Sequence, residues 1–111
     1  MNQQDSTLVQ LMRVIEDRKA NPPERSYTTQ LMRGGVDKIG KKIIEEAREV
    51  IAAATETDSE GHDHLVHEAA DLVYHLFVMM AHRDVTLQEV EAELGRRFGI
   101  SGLDEKASRS P

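Results

Sequence analysis

The sequence predicts an all-α fold, an antiparallel helical bundle of about four to five helices, and three observations carry that reading. No stretch alternates apolar and polar residues with period two for long enough to make a strand. Apolar residues recur instead at helical spacing, in segments separated by short Pro-, Gly- or Ser-containing breaks. Helices joined by such short connections pack as antiparallel neighbours. No internal repeat of solenoid length is present.

Ser6 is placed to cap a first helix that runs to about Ala20, with Leu8, Leu11, Met12 and Ile15 on one face. Asn21-Pro22-Pro23 ends it, because proline lacks the amide donor and disfavours helix in the residue before it. Ser26 opens a short helix, Tyr27 to Arg33, which Gly34-Gly35 is expected to terminate. A long helix follows from Val36 to about Thr57, interrupted only by the tolerable Gly40. Thr57 to Gly61 reads as a polar turn, and Asp63 to about Arg83 as a second long helix. Thr86-Leu-Gln-Glu89 is a capping box that opens a last helix ending near Phe98-Gly99. The expected organisation is one domain over residues 1–99 and a polar tail over 100–111.

Composition narrows the function. The chain has 111 residues and no cysteine, so a disulfide framework, a thiolate zinc site and a cysteine nucleophile are excluded together. Acids outnumber bases 20 to 14, a net charge of −6, without the basic stripe that a nucleic-acid binder uses to neutralise phosphates. The start shows no basic segment followed by an apolar run, and the longest apolar stretch, Leu76 to Ala81, is far short of a bilayer's width. The expectation is a cytoplasmic protein with no membrane and no nucleic-acid partner. An acidic protein that handles anions needs a cation as mediator.

On the helix holding KKIIEEAREVIAAA, Val36, Ile39, Ile43, Ala47, Val50 and Ala54 form an apolar stripe. Lys42, Glu45, Glu46 and Glu49 form the stripe beside it, with Glu46 nearest the apolar edge. Carboxylates three and four residues apart point the same way and repel. On the next long helix His64, Glu68, Asp71 and His75 share one face, and most of the remaining circumference is apolar. If the two helices pack antiparallel, Glu46, Glu49, Glu68 and Asp71 converge at one level. Four hard oxygen ligands favour Mg²⁺, with Mn²⁺ as the alternative, over zinc. A single Glu-x-x-Glu on a helix is usually a solvated face; the second acidic pair at hairpin distance raises the metal reading well above that base. His62, His64 and His67 straddle the second helix's start and are not expected to make a zinc site, and Met79 and Met80 read as core or dimer contact.

Glu46-x-x-Glu49 followed by Glu68-x-x-Asp71 resembles the signature of the all-α nucleoside-triphosphate pyrophosphohydrolases, the MazG-like superfamily. The segments SYTTQLMRGGVDKIGKKIIEEAREVIAAA and HEAADLVYHLFVMM narrow the resemblance to the phosphoribosyl-ATP pyrophosphohydrolase family, over roughly Leu8 to Arg97. The resemblance implies hydrolysis of phosphoribosyl-ATP to phosphoribosyl-AMP and pyrophosphate, the second step of histidine biosynthesis, with Mg²⁺ and a homodimer whose two hairpins form a four-helix-type core. It implies that Glu46, Glu49, Glu68 and Asp71 hold the metal and that Glu45 is a further ligand or the base. Lys38, Lys41 and Lys42 then supply positive charge for phosphates. Tyr27, Thr28 and His75 are candidate substrate contacts, although Ser26 to Thr28 also read as helix capping and His75 as a structural hydrogen bond. The rival enzymatic reading is a house-cleaning pyrophosphohydrolase of noncanonical triphosphates, and the non-enzymatic rival is a helical dimerisation module.

Overall fold

The structure is a computed structural model that describes residues 5–98; the expected tail, 100–111, lies outside them. Four helices follow in order, and no strand occurs among the described residues: α1 (Thr7–Ala20), α2 (Tyr27–Ala54), α3 (Ser59–His82) and α4 (Leu87–Arg97). Helices α2 and α3 make the dominant hairpin, and α1 packs against both, more closely against α3.

Local chemistry sets each boundary. The Val9 amide donates to Ser6 Oγ at 3.2 Å, and the Thr29 amide donates to the buried Ser26 hydroxyl at 3.1 Å. In the capping box of α4, the Glu89 amide donates to Thr86 Oγ1 at 3.1 Å and the Thr86 amide returns a bond to Glu89 Oε1 at 2.9 Å. Lys19 of α1 reaches the end of α3, where its ammonium donates to the carbonyls of Ala81 (3.2 Å) and His82 (3.1 Å) and to Asp84 Oδ1 (2.7 Å). A cation placed there adds a donor to carbonyls at the helix end, where Ala81 also accepts from the Asp84 amide at 3.0 Å, and opposes its negative end.

One expectation about the long helices is borne out and one is corrected. Gly34-Gly35 does interrupt the short helix: Gly35 leaves helical geometry at φ 71°, ψ −167°, and the chain resumes helical structure directly after it, so α2 is two helical segments joined across a kink. Helix α2 then stops at Ala54, and α3 begins at Ser59, four residues before the expected start, because Asp58 caps it through a 2.7 Å bond from the Gly61 amide. Gly61 is buried in that first turn, and a Cβ there would lie 2.5 Å from Glu56 Cβ and 2.7 Å from the Glu56 carbonyl oxygen. The polar signal at 57–61 therefore marks a tight turn and a helix start together.

Met12, Ile15, Leu31, Ile39, Phe77, Val78, Met80, Ala81 and Leu87 form the core. Burial of each large aliphatic side chain among them contributes about 1.5–3 kcal/mol. The expected α2 stripe is only half covered. Ile39 is fully buried and Ile43 packs on the core, whereas Val36 and Ala54 are exposed and Ala53 is buried in Ala54's place. Met80 is core and Met79 packs against it.

Gly35 generates a prediction about the kink. The space beside it is open, with no atom within 4 Å of a Cβ, so only backbone conformation resists a side chain. Its φ, ψ pair is one that residues other than glycine adopt at a cost of about 1–3 kcal/mol. Gly35→Ala is expected to lose about that much in urea unfolding, and an unchanged midpoint would show that the kink is not required.

Candidate active site

The antiparallel hairpin brings two acidic segments to one level. Glu45, Glu46, Arg48 and Glu49 of α2 face Glu68 and Asp71 of α3 across an open groove of about 510 Å³. Glu68 is buried, Glu46 and Asp71 are half-buried, and Glu45 and Glu49 are exposed. Carboxylate pairs from separate helices converge because helical residues three apart project to one side and the 55–58 turn fixes the register.

The electrostatics are those of a site with too little positive charge. Burial pushes the Glu46 carboxyl above its usual range, and hydrogen bonding with Glu68 and the negative charges of Asp71 and Glu68 push it further; His75 partly opposes them. Glu68 stands at the centre of two donor clusters. Glu49, His64 and Glu68 bring ligand atoms within 4.8 Å of one another, and so do His67, Glu68 and Asp71. Lys42, 3.0 Å from Glu45 Oε2, is the cation on the acidic stripe, and that contact holds its ammonium above the usual lysine range.

An aromatic group borders the groove. The rings of Tyr27 and Tyr74 stack at 6.2 Å, and His75 stands edge-on to both. The buried His75 donates from Nδ1 to the Asp71 carbonyl oxygen at 2.8 Å. In the neutral ring Nε2 is then the acceptor, and Tyr27 Oη donates to it at 3.0 Å. The Thr28 hydroxyl pairs with Tyr74 Oη. Burial raises the Tyr27 hydroxyl above the usual tyrosine range, against the opposing pull of Lys42, so the phenol stays a donor near neutrality.

Sequence-expected residues divide accordingly. Glu45, Glu46, Glu49, Glu68 and Asp71 line one groove, and Lys42 pairs with Glu45 at its margin. Tyr27, Thr28 and His75 are tied together through Tyr74 and the Asp71 backbone. Lys38 and Lys41 are exposed and do not line the groove. The reading from sequence missed Arg48, the groove's own cation, and the part played by His64 and His67. His64 lies 2.8 Å from Glu56 and 3.5 Å from Glu68, and His67 lies 3.3 Å from Asp71. Their signal was the four-residue spacing to Glu68 and Asp71; the two histidines fall into separate clusters that share Glu68.

Fold and groove define the class: an all-helical protein whose central hairpin presents paired carboxylates beside an aromatic group. Comparison with known proteins makes the class specific. Residues 8–98 match the family model of phosphoribosyl-ATP pyrophosphohydrolase. The chain is 56% identical over 102 residues to the phosphoribosyl-ATP pyrophosphatase of Rhodopirellula baltica, covering 92% of this chain and 85% of that one. It is 48% identical to the phosphoribosyl-ATP pyrophosphatase of Trichlorobacter lovleyi, with 98% of each chain covered. The protein of the same name from Geobacter metallireducens is 45% identical, over 98% of this chain and 97% of its own. The chain belongs to the phosphoribosyl-ATP pyrophosphohydrolase family.

The raised Glu46 carboxyl yields a prediction for the metal-free protein. A carboxyl whose folded pKa lies above its unfolded value costs stability once ionised, and the cost fades as pH falls through the folded value. In chelator at pH 7, Glu46→Gln is therefore expected to melt above the parent. The difference should close as pH is lowered below the ordinary glutamate range. A lower melting temperature at pH 7 would contradict the reading.

Proposed function

We propose that this chain is a Mg²⁺-dependent homodimeric enzyme that hydrolyses phosphoribosyl-ATP to phosphoribosyl-AMP and pyrophosphate, the second step of histidine biosynthesis. The observation that carries the reading is the facing of Glu46 and Glu49 with Glu68 and Asp71 in one groove, within a chain of this family. The groove's donors fit a hard divalent cation: carboxylate oxygens predominate, with one imidazole in each cluster around Glu68, and the raised Glu46 carboxyl marks negative charge that a cation relieves. Glu46, Glu49, Glu68 and Asp71 would hold the ion. When bound, Mg²⁺ supplies charge neutralisation for phosphate oxygens and acidifies a coordinated water.

The chain's own residues divide the remaining work. Water adds to phosphorus at the α–β anhydride, the bridging P–O bond breaks, and the water proton needs an acceptor. Glu45 is exposed at the groove and its carboxylate is the candidate base, held in place by Lys42. Lys42 and Arg48 offer positive charge to the phosphates. With Lys38 and Lys41 away from the groove, a share for them is limited to long-range attraction of the anion. Tyr27 is half-exposed and already stacked on Tyr74, so its ring is placed to meet a flat base, and His75 keeps that ring in position.

The homodimer rests on an uncovered face. Ile44 and Ile51 of α2 are 54% and 66% exposed, and Val66 and Leu76 of α3 are 59% and 46% exposed. Phe77 and Met80 are covered within the chain, so of the core or dimer-contact alternatives Met80 takes the first, while Leu76 stays uncovered. Pairing two hairpins across a two-fold axis would cover the exposed residues and complete a four-helix-type core.

Three tests follow from this reading. Glu49→Ala and Asp71→Ala are expected to lower turnover by about a hundredfold or more while the far-ultraviolet circular dichroism stays that of the parent. Full activity in either would remove the carboxylates from the reaction. In a product assay, phosphoribosyl-ATP should be consumed far faster than dUTP, dCTP or ITP and should release pyrophosphate. A preference for a noncanonical triphosphate would favour the house-cleaning activity. The melting temperature should rise with protein concentration, as for an obligate dimer. A stable 12.5 kDa species in sedimentation equilibrium at micromolar concentration would exclude it.

A further inference from the structure

A second pocket, of about 270 Å³, lies at the opposite end of the hairpin and shares no residue with the carboxylate groove. Arg18, Lys19 and Pro22 line it from α1 and the following turn, Thr29, Met32 and Arg33 from the start of α2, and His82 from the end of α3. His82 lies eleven positions beyond Asp71 on α3, roughly 16 Å along the helix axis.

Thr29 is the unusual residue there. It is 3% exposed, and its hydroxyl has no hydrogen-bond partner. Buried hydroxyls nearly always find a partner, and leaving one unmet is unfavourable. Thr29 lines a pocket whose other polar members are Arg18, Lys19, Arg33 and His82, with its hydroxyl buried in the pocket wall. Two carboxylates beside Arg18 and Lys19 already have partners of their own. Asp17 accepts from Arg18 at 3.3 Å and from Asn21 at 3.0 Å. Asp84 accepts from Lys19, a contact that holds its carboxyl below the usual range. Among the described residues no carboxylate pairs with Arg33, so its guanidinium is available to an incoming anion. Thr29 also sits in the first turn of α2, the end of a helix that favours negative charge.

We propose that this pocket binds the phosphate group of a small phosphate monoester, with Arg33 and the Thr29 hydroxyl as its principal donors. A tetrahedral dianion accepts from a guanidinium fork, a hydroxyl and an imidazole at once, which a planar carboxylate does less well. Pro22 and Met32 give the pocket an apolar wall for the carbon skeleton that carries the phosphate. The site stands on its own geometry and does not rest on the proposed reaction.

The test is isothermal titration of the full chain in chelator, where the carboxylate groove holds no metal to attract phosphate, with ribose 5-phosphate as probe and ribose as control. Ribose 5-phosphate should bind saturably and ribose should not. Arg33→Gln and the isosteric Thr29→Val should each weaken binding at least tenfold, while Asp71→Asn should leave it unchanged. Absence of saturable binding, or binding indifferent to both Arg33→Gln and Thr29→Val, would overturn the proposal. Steady-state kinetics then identify the phosphate's source. If it is the far phosphate of the nucleotide substrate, Arg33→Gln raises KM and ribose 5-phosphate competes with substrate. If it is a separate metabolite, KM is unchanged and ribose 5-phosphate binds without competing; either result leaves the site in place.

Discussion

Carboxylates facing one another across α2 and α3 are the constraint on which the rest of the molecule depends. Like charges so close oppose the packing of the helices that carry them, as the raised Glu46 carboxyl records. The chain holds them together by burying apolar residues elsewhere along the same two helices, including Ile39, Phe77 and Val78. The register is fixed at both ends of the hairpin. At one end Asp58 caps α3 and Gly61 lies against the Glu56 backbone. At the other, Tyr27 Oη donates to His75 Nε2 and the Thr28 hydroxyl pairs with Tyr74. On the proposed reading, a cation bound there would convert this local conflict into attraction and couple folding to metal binding through the same four side chains.

Much of this was legible in the sequence, for physical reasons. Period-3.6 patterning and side-chain caps are local signals, so Ser6, Ser26 and the Thr86–Glu89 box mark their helix starts correctly. The acidic pairs were legible because helical spacing alone decides which side chains share a face. Gly34-Gly35 marked its break correctly, because glycine takes the positive φ that interrupts the helix, although the pair does not say whether the chain then turns away or resumes as helix. At 57–61 the polar run concealed a helix start, since the cap and the first turn are made of the same residue types as a loop.

Tertiary partners were the part that sequence hid. His64 has the right spacing to Glu68, but its 2.8 Å approach to Glu56 depends on how tightly the hairpin turns. Arg48 enters the groove, while Lys38 and Lys41, which family likeness singled out, stay outside it. The Tyr27–His75 bond joins residues 48 apart in the chain and follows from the α2–α3 register. The unpartnered Thr29 hydroxyl is likewise invisible before three helix ends are brought together.

The central claim is that the carboxylate groove is a divalent-cation site, and a Mg²⁺ titration followed by thermal unfolding tests it most directly. Starting from chelator-treated protein at pH 7, the melting temperature of the parent should rise with Mg²⁺ and then saturate. The rise should disappear in Glu68→Gln, whose carboxylate belongs to both donor clusters. A parent protein that melts at the same temperature with and without Mg²⁺, or a Glu68→Gln protein that keeps the full rise, would contradict the account.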